Sequence, residues 1–282
     1  MILVTGATGT IGSDVVRQLA ARGEKVRALT QDPARASFPA GVEAVRGDFL
    51  DEPSVTAALD GVTAAFIVGV FGPEDGGRDV RLVRLAEEAG VRRIVKLSAI
   101  GTGDPAFGVF GTWHLPGEEA LRATGVRWTV LRPTSFASNT LSWAPAVRAG
   151  EAVANMTGDG RQGVVDPRDV SAVAVAALTD DRHAGRTYTL TGPSALSVPD
   201  QVAVLEEVLG RPVGVTESTP EETRERLVAA GMGAEALEPV LHSIEFARRD
   251  GNALVTADVA EALGRGARSY REWAEDHREA FA

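Results

Sequence analysis

Two hydrophobic periods alternate along the first 133 residues. Ile2-Leu3-Val4 is a short apolar run, the pattern of a parallel strand buried on both faces. Val15, Val16 and Leu19 then recur at helical spacing up to the stop at Gly23. Val26, Ala28 and Thr30 alternate against Lys25, Arg27 and Leu29, which predicts a second strand over Glu24–Thr30. A third strand is expected over Gly41–Asp48, and a fourth over Ala64–Gly69, apolar throughout. Between these two, Pro53 suits the first turn of a helix and Gly61 its end. A further helix over Arg78–Gly90 is expected to turn Val80, Val83 and Leu85 inward, and strands five and six fall at Arg93–Ser98 and Val126–Arg132. Strands and helices alternating at this spacing predict an α/β fold with a doubly wound parallel sheet. Its ligand then belongs outside the C-terminal strand ends, at Gly6–Gly12, Thr30, Asp48, Gly69 and Ser98.

After Pro133 the pattern is less regular. Asp166-Pro-Arg-Asp169 starts a helix whose Val170–Leu178 run, rich in Ala and Val, is expected to be buried. Thr187–Leu190 reads as a strand and Ser197–Gly210 as a helix, and Thr219-Pro-Glu-Glu222 is a capping box opening another. Helices are also expected over Ala234–Arg249, Thr256–Leu263 and, as one terminal piece, Arg268–Phe281. This divides the chain into a dinucleotide-binding region, 1–133, and a smaller mixed α/β substrate lobe, 134–282, with interleaved segments, set over the cofactor cleft.

The turn between the first strand and helix carries the first chemistry. Gly6-Ala-Thr-Gly9-Thr-Ile-Gly12 spaces three glycines for a tight turn, a close backbone approach to a pyrophosphate and a close helix–strand contact. Thr8, Gly9, Thr10, Ile11 and Gly12 would offer the phosphates the free N–H groups and positive end of the helix. An acidic residue at the end of strand two would select NAD; Thr30-Gln31 stands there instead, and Arg35 is near enough for a 2′-phosphate. NADP is therefore expected, with NAD possible. The Gly- and acid-rich loop from Gly69 to Arg78 is expected to move over a bound cofactor.

Composition narrows the classes. At 282 residues, 44% hydrophobic and 24% charged, the chain is an ordinary globular length and mix. A net charge of −10 argues against nucleic acid as partner. No cysteine is present and the four histidines lack ligand spacing, so no metal site is expected. The longest apolar run, around Val62–Phe71, is too short to span a membrane, and a strand beginning at residue 2 leaves no room for a signal peptide. A cytoplasmic monomer or homodimer acting on a small molecule is the expectation.

The order of motifs resembles the NmrA-like, NAD(P)-binding group of atypical short-chain dehydrogenase/reductases. The resemblance rests on the glycine turn, Gly47-Asp48, Arg93-Ile-Val-Lys-Leu-Ser98, His114-x-x-x-Glu118, Trp128-Thr-Val-Leu-Arg-Pro133, Gly158-Asp-Gly-Arg161, Val165-Asp-Pro-Arg-Asp169 and Leu190-Thr-Gly-Pro193. It implies a Rossmann-type fold, with Asp48 on the adenine amino group and Phe49 beside the ring. The wider superfamily carries Tyr-x-x-x-Lys after strand five; the matching positions here are Phe110 and His114. Phenylalanine has no proton to give, so the usual relay is absent.

Ser98 and His114 are the candidate replacements, both expected beside the nicotinamide. Ser98 would polarise a carbonyl or merely cap a turn, and His114 would donate a proton, bind the ribose or be a helix histidine. Thr102, Trp113, Phe136, Asn139 and Trp143 are the candidate substrate residues, and their aromatic rings suit a flat, aromatic ligand. The resulting expectation is an NADPH-dependent reductase of a quinone or aromatic, polyketide-type ketone, substrates that need little acid assistance. The alternative is a non-catalytic NADP(H) sensor acting through a protein partner.

Overall fold

A three-residue strand, β1 (Ile2–Val4), enters helix α1 (Thr10–Ala21) through the glycine turn, and β2 (Val26–Thr30), β3 (Glu43–Arg46), α2 (Glu52–Ala58) and β4 (Ala64–Ile67) follow. Next come α3 (Gly76–Glu88), β5 (Arg93–Leu97), α4 (Phe110–Trp113), α5 (Leu115–Ala123), β6 (Arg127–Pro133), β7 (Ser135–Phe136), α6 (Ala144–Ala149), β8 (Val153–Asn155) and β9 (Gln162–Val165). The remainder holds α7 (Pro167–Thr179), β10 (Arg186–Leu190), β11 (Ala195–Leu196), α8 (Val198–Leu209), β12 (Val215–Glu217), α9 (Pro220–Ala229) and α10 (Ala234–Arg248). It ends with α11 (Asp258–Leu263), α12 (Tyr270–Asp276) and α13 (Arg278–Phe281). The structure, a computed structural model, describes residues 1–69 and 75–282. Residues 70–74 of the expected mobile loop lie outside the described residues.

The chain forms two units, one of Met1–Pro133, Pro167–Thr189 and Asp258–Gly264, the other of Thr134–Asp166, Leu190–Ala257 and Arg265–Ala282. In the first, the described strands form a seven-stranded sheet in the order β10-β6-β5-β4-β1-β2-β3. The pairs β1–β2, β2–β3, β1–β4, β4–β5 and β5–β6 are all parallel. This is a doubly wound Rossmann-type α/β fold. The order reverses between β1 and β4, the switch point at which such sheets open a crevice. Thr5 ties the two strand ends there: its buried hydroxyl donates to Val68 O (3.1 Å) and accepts from Val68 N–H (2.7 Å).

Burial explains the layers. Leu3, Leu29, Ile67, Ile94 and Val130 of the sheet pack with Leu82, Val83, Leu85 and Ala86 of α3 and Leu121 of α5. Val80 does not join them as the helical spacing suggested; it is 37% exposed, because it lies about 160° around the helix from Leu82. Helix α7 is the buried Ala/Val segment expected, with Val170, Val173, Ala174 and Val175 without exposed surface, and it packs on α1.

The second unit has its own core around Trp273, Tyr270, Phe281, Leu205 and Val202. It contains small sheets, β11-β9-β7 and β12-β8. Both Ser197/Asp200 and Thr219/Glu222 form reciprocal capping boxes, opening α8 and α9. The single terminal helix expected from sequence is two helices, α12 and α13. The break falls at His277, whose ring Nδ1 lies 2.7 Å from the Trp273 carbonyl and competes with the helical ladder there.

Candidate active site

The glycine turn is built as the spacing required. Gly6 has φ +58, and Gly9 N–H donates to its carbonyl at 3.0 Å. A Cβ on Gly12 would lie 2.1 Å from Gly6 O, so only glycine lets α1 start this close to the turn. Gly9 caps α1 with no side chain on its first N–H groups, leaving Thr10, Ile11 and Gly12 at a helix start open to an anion.

Beside the turn is a cleft of about 580 Å³ that Gly6, Thr8, Thr30, Gln31, Asp48 and Phe49 help to line. Asp48 accepts from Leu50 N–H (2.9 Å) through Oδ1, and Oδ2 makes no hydrogen bond among the described residues. Phe49 is half-buried, against the sheet core. Two arginines border the cleft. Arg35 is 89% exposed and 3.7 Å from Asp32; Arg78, which sequence reasoning passed over, is one-third exposed and pairs with Asp75 at 2.9 Å. These residues fit a dinucleotide: a helix start open to an anion, a turn that a Cβ would block, a carboxylate oxygen free to accept and two cations on the border of the cleft.

A second cluster lies at the end of β5. Ser98 is buried; its hydroxyl donates to Glu118 Oε1 (2.5 Å) and sits 3.1 Å from Thr102 Oγ1. Glu118, fully buried, also accepts from Arg132 Nε (2.9 Å) and Nη2 (2.6 Å) and from Arg122 (2.7 Å). Burial pushes the Glu118 carboxyl up, but the hydrogen bonds from Arg132 and Ser98 outweigh it and hold it below the usual range. The ionised carboxylate therefore accepts the Ser98 hydrogen bond. Thr102 is buried too, bonded to Ala99 O (2.9 Å), which makes it a support of Ser98.

His114 stands at the junction of α4 and α5, where the helix expected to carry Phe110 and His114 together is broken. Pro116 explains the break: it lacks the N–H that a continuous helix would aim at the Thr112 carbonyl, and it sits in the first turn of α5, where no such bond is needed. His114 Nδ1 is 3.3 Å from Lys96 Nζ and 3.9 Å from Asp79 Oδ2, and Nε2 makes no hydrogen bond among the described residues. Lys96 and Asp79 are both fully buried and ion-paired. Neither was singled out from sequence, although a lysine inside an apolar strand was the available signal. Gly69 belongs to this neighbourhood: a Cβ there would lie 2.5 Å from Asp79 Oδ1.

The expected substrate residues fall in both units. Trp113 is half-buried, its ring 4.3 Å from that of Phe110 and its buried indole N–H without a hydrogen-bond partner among the described residues. Phe136, Asn139 and Trp143 are in the second unit; Trp143 packs on its core, and Asn139 is exposed with Nδ2 3.4 Å from Ser135 Oγ. Among the described residues no helix is long and apolar enough to cross a membrane.

Comparison with known proteins adds four findings. Residues 6–181 match the family described as NAD(P)H-binding. The (4-alkanoyl-5-oxo-2,5-dihydrofuran-3-yl)methyl phosphate reductase of Streptomyces griseus subsp. griseus is 43% identical over 284 residues, spanning 100% of this chain and 99% of the relative. The NAD(P)H azoreductase of Xenophilus azovorans is 34% identical over 283 residues, with the same coverage. Among solved structures, the NADPH-dependent quinone oxidoreductase of Escherichia coli complexed with NADPH shares the fold, with a TM-score of 0.86 at 24% identity over 98% of this chain and 99% of that one.

Proposed function

This chain belongs to the NAD(P)H-binding family and is an NAD(P)H-dependent oxidoreductase; from that premise we propose that it is an NADPH-dependent reductase of a conjugated, electron-poor acceptor of the quinone or aromatic-ketone class. The observation that carries the reading is His114, with Lys96 against Nδ1 and Nε2 unclaimed, one helical turn from Phe110. Two full-length relatives are named for acceptors of comparable electronic character, an acyl-substituted unsaturated lactone and an azo group.

Reducing equivalents come, as hydride, from the nicotinamide when NADPH is bound. The Gly6–Gly12 turn and the start of α1 hold the pyrophosphate, Asp48 and Phe49 the adenine, and Arg35 and Arg78 the 2′-phosphate. His114 donates its Nε2–H to the oxygen on which negative charge develops, while Ser98, donating to Glu118, keeps the end of β5 in place. Conjugation spreads that charge over the acceptor, so a neutral imidazole suffices where an isolated ketone would need a phenol. The product takes its proton from water or from a neighbouring phenol of the substrate.

Burial lowers the pKa of His114, the contact with Asp79 opposing and the charge of Lys96 adding to the shift. The imidazole is thus the working form at neutral pH. kcat/KM should be flat from pH 8 down past about 6.5, the ordinary histidine value, and fall only as pH drops through the lowered pKa. A pH–rate profile that instead rises on acidification through pH 7 would assign the work to an imidazolium.

The direct test follows loss of reduced-nicotinamide absorbance with a panel of quinones, polycyclic aromatic ketones and acylated unsaturated lactones. Saturable turnover is expected, falling by about 100-fold in kcat for His114→Ala, within the range of a removed proton-handling group. Tight NADPH binding with no turnover of any panel member would overturn the substrate reading. Arg35→Ala and Arg78→Ala should each lower the NADPH-over-NADH preference in kcat/KM by about tenfold or more, since a hydrogen bond to a charged group contributes about 1.5–3 kcal/mol. A preference unchanged in both variants would remove them from the phosphate site.

A further inference from the structure

We propose that Lys96 is a positioning residue for His114: anchored by Asp79 and the Leu97 carbonyl, its ammonium donates its third N–H to His114 Nδ1 and so fixes the imidazole as the Nε2–H tautomer. The inference rests on the reading of His114 as donor and names what makes it one.

An ammonium group has three donors and no acceptor. Lys96 Nζ is ion-paired with Asp79 Oδ2 and has two hydrogen-bond acceptors, Leu97 O at 3.1 Å and His114 Nδ1 at 3.3 Å. A ring nitrogen that accepts cannot carry the proton, so in neutral His114 the proton is on Nε2. The side chain has nowhere else to go. Lys96 has no exposed surface, lies in the middle of the sheet between β4 and β6, and cannot reach water with its charge.

Gly117 makes the approach possible. A Cβ there would lie 2.5 Å from Asp79 Cβ and 2.8 Å from Lys96 Cε, so α5 comes close to the ion pair only because this position is bare. Since His114 is the residue immediately before α5, the same approach brings its ring to the ammonium.

Three charged side chains face the ring, and the nearest is the ammonium. From β5 there is Lys96; from α3, Asp79, whose Oδ2 is farther from Nδ1, at 3.9 Å, than the ammonium is; from α5, Glu118, already shared by Arg132, Arg122 and Ser98. Helix α4, Phe110–Trp113, contributes no titratable group. An imidazolium would put its Nδ1–H against the ammonium.

The test uses the full chain and the paired variant Lys96→Met/Asp79→Asn, which removes both charges and leaves neither buried alone. ¹⁵N-labelled histidine spectra, assigned with His114→Gln, report the tautomer. In the wild type His114 is expected as the Nε2–H form; in the variant it becomes a mixture, and kcat falls about tenfold or more with the NADPH Kd unchanged, because a misplaced proton disables a donor without removing it. A merely structural lysine would leave the tautomer as it was. An Nδ1–H or doubly protonated ring in the wild type at neutral pH overturns the proposal, as does a variant with unchanged tautomer and unchanged kcat. Should His114→Ala keep full turnover, the donor reading fails, while the spectra still decide whether Lys96 sets the ring.

Discussion

Gly12→Val is expected to abolish measurable NADPH binding, raising Kd at least about 100-fold, and to destabilise the protein by about 3 kcal/mol, the upper end for overpacking. The Cβ at this position would lie 2.1 Å from Gly6 O and 2.7 Å from Gly6 C, both backbone atoms that no rotamer change can move. Relief requires α1 to shift away from the turn, yet α1 is fixed behind by α7, with Ser171 Oγ 3.4 Å from Ile11 O. The turn must yield instead, and with it the N–H groups that would meet the pyrophosphate. Titration of NADPH fluorescence and urea unfolding check the two effects together. A variant that binds normally would show that the turn has slack the geometry denies.

Removing one member of the Asp79–Lys96 pair should cost about 3–5 kcal/mol, because the other is left as an uncompensated charge in the interior. Lys96→Met leaves the carboxylate against Gly69 and Gly117; Asp79→Asn leaves the ammonium among neutral acceptors, with no negative charge paired to it. The paired variant should recover most of the loss, since two neutral side chains carry no such penalty. A double-mutant cycle on urea-unfolding free energies measures the coupling, expected as a large non-additive term between groups in direct contact. Additive single effects would mean that the pair does not act as one unit.

Where sequence reasoning succeeded, the information was local. The glycine spacing, the Ser197 and Thr219 capping boxes and the apolar run of β4 each concern residues within a turn or two of one another. Where it fell short, the cause was a partner distant in the chain. Arg78 enters the cleft beside Arg35 across 43 positions, and nothing in the charge pattern of α3 distinguishes it from Arg81 or Arg84. Ser98 illustrates the same limit in reverse. As a strand-end hydroxyl it reads equally as polarising a carbonyl or capping a turn, and only the fold shows that it donates to Glu118, itself held by Arg132, and lies 3.1 Å from Thr102.

What the sequence determined by itself was the order of strands and helices, the doubly wound sheet and the nucleotide turn, because backbone conformation, periodicity and capping are short-range properties. The tertiary structure alone decided which buried charges meet. Lys96 comes from β5, Asp79 from α3 and His114 from the break before α5, and a glycine at 117 brings them within hydrogen-bond reach. It also decided that α7 and β10 return to the first unit after an excursion through Thr134–Asp166. A desolvated ammonium must find acceptors wherever the fold supplies them, and the identity of those acceptors is a property of packing rather than of spacing along the chain.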